Sequence, residues 1–252
     1  MTAIGIDLGA TRIHVAVLAD DGVEVRVTTD VHEVVAWCAA ATSIAIDAPS
    51  DPATGRIHAG THSKKFAVAR CNEIAAGEQL GIWVPWVTPV LADAPGWMRT
   101  GFAVWTALRA DDHEPVEVYP AGCFWLRNGR RWPPKKSTPE GRAARRALLD
   151  PFLRRSAALG DGDLRKNDLE THDEIDAAMA AVVARGPYRL VGHDGPGCDG
   201  SRLAVLEVDG GPGGEGDVRH AEVVDDPPRA TQPVEARSDD VGPAGVHRVL
   251  RH

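Results

Sequence analysis

Residues 4–18, IGIDLGATRIHVAVL, decide the fold. Apolar, β-branched runs lie on both sides of the link Gly9-Ala10-Thr11-Arg12, which predicts two strands. The stretch VEVRVTT, after the turn at Asp20, Asp21 and Gly22, predicts a third. Links this short predict an antiparallel meander over residues 3–28. Asp7 interrupts the first run. A buried, ionised carboxylate is costly unless a cation accompanies it, so an acid inside this strand needs a chemical reason.

Reading outward, Asp30 and Glu33 have capping-box spacing ahead of the amphipathic VHEVVAWCAAA, and a strand, SIAID, follows at residues 43–47. This is a strand, helix, strand crossover. After Pro49 comes a loop in which His58 and His62 read as ordinary loop residues, with no third ligand in a supporting pattern. Helices are predicted over Lys64–Ala76 and Gly101–Arg109, separated by an irregular Trp/Pro stretch, and EPVEVYP supplies the next strand at residues 114–120. Thr138 with Pro139 starts another helix, expected to kink at Pro151. Thr171 and Glu174 form a second capping box, opening DEIDAAMAAVVA. There Asp176, Met179, Ala180 and Val183 fall at i, i+3, i+4, i+7, so Asp176 heads a stripe that otherwise packs on the sheet, and the Ala-rich flank permits close approach. YRLVG and RLAVLEV predict a closing hairpin. From Gly210 onward the chain is rich in Gly, Pro and charge without apolar periodicity, so residues 209–252 are expected to be a disordered tail behind a folded domain of residues 1–208.

The chain has 252 residues, of which 43% are hydrophobic, enough for a sizeable core. Its net charge of -8 argues against a general nucleic-acid binder. Charge is uneven, however: residues 127–155 hold ten Lys or Arg against two acids, a local balance of +8. Cys38, Cys71, Cys123 and Cys198 show no CxxC spacing, so neither a zinc site nor a disulfide framework is indicated. With no basic and apolar leader and no stretch approaching the ~20 apolar residues of a membrane span, the expectation is a soluble protein of the cytoplasm.

The acids carry the functional reading. Asp7, Asp47 and Glu117 each sit in or just after a predicted strand, and Asp173 and Asp176 lie on the last helix. Such acids need Arg or Lys partners or a divalent ion, and Mg²⁺ or Mn²⁺ suits oxygen ligands. Asp173 and Asp176 are three apart and can share a face, while Asp173 in the first turn is also favoured by the helix dipole.

Five motifs in order, GIDLG at 5–9, AIDAPS at 45–50, Arg70-Cys71, VEVYPA at 116–121 and HDEIDAAMAA at 172–181, resemble the domain of unknown function family 429, a family of predicted nucleases. The resemblance implies an α/β fold of ribonuclease H-like type: a mixed sheet, antiparallel in its leading strands and parallel after them, flanked by helices. It further implies a metal-dependent nuclease or phosphodiesterase in which two Mg²⁺ or Mn²⁺ ions about 3.5–4 Å apart act on a phosphodiester. Asp7 would then bridge the ions, Glu117 and Asp176 would flank them, and Asp47 or Asp173 would complete the site.

Arg70 would contact phosphate or neutralise the acids. The basic 127–155 segment, with Phe124, Trp125, Trp132 and Phe152 around it, suits nucleic-acid backbone contact and base stacking through residues such as Arg130 and Lys135. It equally suits a solvated helix face. Two rival readings use the same residues. GIDLGATRIHVAVL also resembles the first phosphate loop of sugar kinases and actin-like ATPases, with Gly9, Thr11 and Arg12 near ATP. Those proteins pair two lobes and carry a second Gly-rich motif, for which GHDGPGCDG at 192–200 is a poor substitute. In the other rival, the fold is a non-catalytic module for a nucleic-acid or protein partner. Oligomeric state is open.

Overall fold

The computed structural model of the chain describes residues 1–20, 22–55, 64–157, 169–193 and 198–207. The predicted tail at 209–252, His58 and His62 therefore lie outside the described residues. Strands β1 (Ala3–Leu8), β2 (Ile13–Ala19) and β3 (Gly22–Thr28) form the antiparallel meander read from the sequence. Helix α1 (Val31–Cys38) then leads to β4 (Ser43–Asp47), which pairs parallel with β1. The short β5 (Val116–Glu117) pairs parallel with β4, giving the sheet order β3-β2-β1-β4-β5. This mixed five-stranded sheet, flanked by helices, is consistent with a ribonuclease H-like fold.

Alternation along β1 sorts its residues between two layers. Ile4, Ile6 and Leu8 face a core that includes Val34 and Cys38 of α1 and Val104, Trp105 and Leu108 of α3 (Gly96–Ala110). Ala3, Gly5 and Asp7 face the opposite side, where α6 (His172–Arg185) crosses the sheet. Small residues on this side admit the helix: Ala3, Ala16 and Ala45 pack with Ala177, Ala178 and Ala181. At Gly5 the approach is backbone to backbone. A Cβ there would lie 2.1 Å from both the Ala177 carbonyl oxygen and the Ala181 nitrogen, so only glycine fits.

The remaining elements close the α6 side and extend it. Helices α4 (Pro120–Arg127) and α5 (Pro139–Ala157) contribute Phe124, Leu149 and Leu153 to the same core. Strands β6 (Tyr188–Val191) and β7 (Leu203–Leu206) form the predicted hairpin, and Ala204 bridges to Val118 just beyond β5. No helix among the described residues is long and apolar enough to cross a membrane.

Four local expectations change. The continuous helix expected over Lys64–Ala76 is a 3-10 turn at Lys64–Val68, a break, and then α2 (Cys71–Ala75), which widens into a π turn over Ala76–Leu80. The break falls at Arg70 because its extended backbone turns its N–H to the buried Glu73 carboxylate at 2.9 Å. The strand expected through Pro120 is shorter, since Pro120 fits the first turn of α4. Helix α3 starts five residues ahead of the expected Gly101. Asp30 caps α1 by accepting the His32 N–H at 2.8 Å, but Glu33 bonds the Thr28 hydroxyl instead of completing the box. Thr171 and Glu174 do form the reciprocal box on α6.

Candidate metal centre

Strand register places the central acid. Asp7 pairs with Asp47 across the parallel β1–β4 ladder and with His14 across the antiparallel β1–β2 ladder. Neighbours in register point to the same face, so His14, Asp7 and Asp47 form a row under the N-terminal half of α6. From that helix Asp176 descends towards Asp7 and Asp47, and Asp173, one turn earlier, approaches Asp7 and His14. Ligand atoms of Asp7, Asp47 and Asp176 lie within 4.8 Å of one another, and so do those of Asp7, His14 and Asp173. Asp7 belongs to both groups.

The row is buried and short of positive charge. Asp7 is 6% exposed and Asp176 2%. Burial, reinforced by Asp47, Asp176 and Asp173, holds the Asp7 carboxyl well above the usual carboxylate range. Burial and then Asp176 push Asp47 up to about 7, although a hydrogen bond shared with Asp7 pulls the other way. Lys136 answers part of this charge by donating from Nζ to Asp176 Oδ2 at 2.8 Å. Burial works against its ammonium, but Asp176, Asp7 and Asp47 outweigh that and raise its pKa. Of the eight buried side-chain polar atoms without a hydrogen-bond partner among the described residues, three meet here: Asp7 Oδ2, Asp176 Oδ1 and His14 Nδ1. Buried polar atoms in folded proteins are almost always satisfied, so three orphans converging on one acidic row fit a cation.

Other predicted site residues are placed differently. The Glu117 carboxylate is in neither ligand group. Arg70 Nη1 donates to both its oxygens at 3.0 and 2.8 Å, Asn72 Nδ2 to Oε1 at 2.9 Å, and the Ser50 N–H to Oε2 at 2.9 Å. Arg70 also reaches the Ser50 hydroxyl at 2.8 Å, and its side chain is 1% exposed, so it sits inside the fold as the partner of Glu117. Ser50 lies three residues beyond Asp47, and Trp105 holds the Ala48 carbonyl at 3.2 Å. The turn after β4 is thus fastened from two sides.

The basic segment divides into structural and exposed parts. Arg142, Arg145 and Arg146 bond the carbonyls of Ser137, Pro134 and Leu169. Two of these bonds tie the residue 134–137 loop to α5. Gly141 lets that loop lie close, since a Cβ there would meet the Lys135 carbonyl at 2.0 Å. The result presents Lys136 to Asp176. Arg130 lies over the Trp125 ring at 5.9 Å, while Lys135 and Trp132 are exposed. The side chains of Arg154 and Arg155 lie outside the described residues. The β1–β2 link, offered by the kinase reading as a phosphate loop, closes on itself: the Gly9 N–H donates to the Arg12 carbonyl at 2.9 Å.

Two site residues escape a reading of the sequence. His14 sits in an apolar strand, and only the register opposite Asp7 shows its role. Lys136 is one cation among ten in its segment, and no local pattern distinguishes it.

Residues 5–189 match the family described as Protein of unknown function (DUF429), and the chain belongs to that family. No curated protein and no solved structure matches the chain.

Proposed function

We propose that the protein is a divalent-metal-dependent phosphodiester hydrolase whose centre is Asp7, Asp47 and Asp176. The observation that carries this reading is the convergence of these three carboxylates within 4.8 Å, with Asp7 Oδ2 and Asp176 Oδ1 buried and unpartnered. Oxygen donors of this kind suit Mg²⁺ or Mn²⁺. When bound, such ions supply charge neutralisation at a phosphodiester and a nucleophile at neutral pH.

The chain's own residues prepare that chemistry. Asp7, at the middle of the sheet and common to both ligand groups, would be the carboxylate shared between bound ions. Asp47 and Asp176 flank it from β4 and α6. Lys136 holds one oxygen of Asp176 and places an ammonium at the rim, where its side chain is 45% exposed and can meet a substrate phosphate. Glu117 acts as a positioning residue: through Ser50 and Arg70 it fixes the turn that follows Asp47. Arg130, Lys135 and the exposed Trp132 offer charge and a stacking surface to a nucleic acid.

The test is cleavage of a panel of single-stranded, duplex, hybrid and branched nucleic acids with Mg²⁺ or Mn²⁺, using wild type, Asp7→Asn and Asp176→Asn. The expected result is cleavage by wild type that both substitutions abolish in folded protein. Absence of cleavage together with ATP binding would overturn the reading in favour of a kinase-like one.

A further inference from the structure

We infer that His14, with Asp7 and Asp173, forms a second cation position that carries a nitrogen donor and prefers a first-row transition ion, Mn²⁺ among them, to Mg²⁺. The inference rests on the carboxylate centre proposed above, because Asp7 is shared, but it assigns a different ion preference to the neighbouring position.

His14 is 6% exposed, and its Nδ1 has no hydrogen-bond partner. The nearest acid oxygen, Asp7 Oδ2, is 3.9 Å away and equally unpartnered. That distance is too long for a hydrogen bond. It does suit two ligands of one ion, whose donor atoms each stand about 2.0–2.2 Å from the metal. Asp173 supplies the third donor from the first turn of α6, and its ligand atom lies within 4.8 Å of those on Asp7 and His14.

Gly9 of the GIDLG motif lies beside these side chains. A Cβ there would press on the Arg12 carbonyl oxygen at 3.1 Å and make ordinary contact with Asp173 Oδ2 at 3.7 Å and His14 Cε1 at 3.8 Å. Asp173 is 30% exposed, so the position reaches solvent on its side, and its Oδ1 also stands 3.1 Å from His172 Nε2. The groups facing His14 are Asp7, Asp173, Glu174, Arg12 and His172. An imidazole suits transition ions, whereas Mg²⁺ demands oxygen and keeps its water.

The test titrates the metal-free full-length protein with Mn²⁺ and, separately, with Mg²⁺ by calorimetry. It adds electron spin-echo spectroscopy of the Mn²⁺-loaded protein, which detects a coordinated nitrogen without requiring a variant. Wild type should bind Mn²⁺ with nitrogen modulation. His14→Leu should lose that modulation and about tenfold or more of the Mn²⁺ affinity at one position, with Mg²⁺ affinity little changed. Mn²⁺ binding without nitrogen modulation in wild type, or an unchanged Mn²⁺ to Mg²⁺ preference in folded His14→Leu, would overturn this inference and leave the carboxylate centre standing. Binding of a single Mn²⁺ per wild-type protein, coordinated by nitrogen and unchanged by Asp47→Asn, would support the His14 position and count against the carboxylate centre. Failure to bind either ion would overturn both.

Discussion

Replacing Arg70 by Met should destabilise the fold more than any single carboxylate change in the row of Asp7, Asp47 and Asp176. The guanidinium is buried, donates to both oxygens of Glu117 and to the Ser50 hydroxyl, and has Asp199 Oδ2 at 4.0 Å. Met matches its apolar stem but returns none of these interactions, so Glu117, 8% exposed, keeps only Asn72 Nδ2 and the Ser50 N–H. Removing one partner of a buried ion pair costs about 3–5 kcal/mol, because the other charge stays buried. At about 2–4 °C per kcal/mol for a fold of this size, the melting temperature should fall by roughly 6–20 °C. The assay is urea and thermal denaturation in chelator-treated buffer, comparing Arg70→Met, Glu117→Leu and the double variant. Both singles should be strongly destabilised, and the double should lose clearly less than their sum because no charge is stranded. A loss below about 1 kcal/mol for Arg70→Met, or strict additivity in the double, would refute the argument that the pair anchors the turn beyond Asp47.

Three further outcomes follow from the same geometry. In metal-free protein the raised pKa of Asp47, from 3.8 to about 7, means the folded state keeps a proton that the unfolded state has released, so this group's contribution to stability falls as pH rises between those values. Asp47→Asn should therefore gain on wild type by roughly a few kcal/mol between pH 5 and pH 8 in urea titrations, and an unchanged difference would count against a strained acid row. Gly5→Ala forces a Cβ to within 2.1 Å of the α6 backbone and should cost about 3 kcal/mol or more, or give insoluble protein; a melting temperature near wild type would contradict the close packing. Lys136→Met strands the Asp176 carboxylate, so metal-free protein should lose about 1–3 kcal/mol while the thermal shift produced by Mn²⁺ grows. A smaller Mn²⁺ shift in Lys136→Met would show that the ammonium does not compete with the ion.

What a reader can extract from the sequence depends on whether the cause is local. The meander, the α1 crossover and the α6 capping box each come from residues a few positions apart, so they are legible. So are Asp7, Asp47 and Asp176, since each is an acid placed where the apolar pattern calls for a buried side chain. Arg70 breaks a predicted helix by capping α2, with its N–H held by Glu73, while its side chain pairs with Glu117, 47 residues away, which no local propensity reports. Helix α4 is hidden because Pro120, which closes the apolar run EPVEVYP, opens the helix instead, after β5 has already ended at Glu117.

His14 is the instructive case, because its position follows from a length. The Gly9-to-Arg12 link joins β1 and β2 so that Leu8 opposes Ile13, and counting outward then sets His14 opposite Asp7. Shifting the register by one residue would move every β2 side chain to the other face, placing His14 against α1 and α3 and Val15 in the acid row. The apolar residues of β2 forbid that shift: Ile13 and Val15 must stay with Ile4 and Ile6, while Ala16 stays beneath α6. The requirement that buries the sheet's aliphatic face thus also delivers an imidazole to the central carboxylate. A one-residue insertion between Gly9 and Arg12 that preserves the register should leave His14 in place, whereas one that shifts it should unfold the protein.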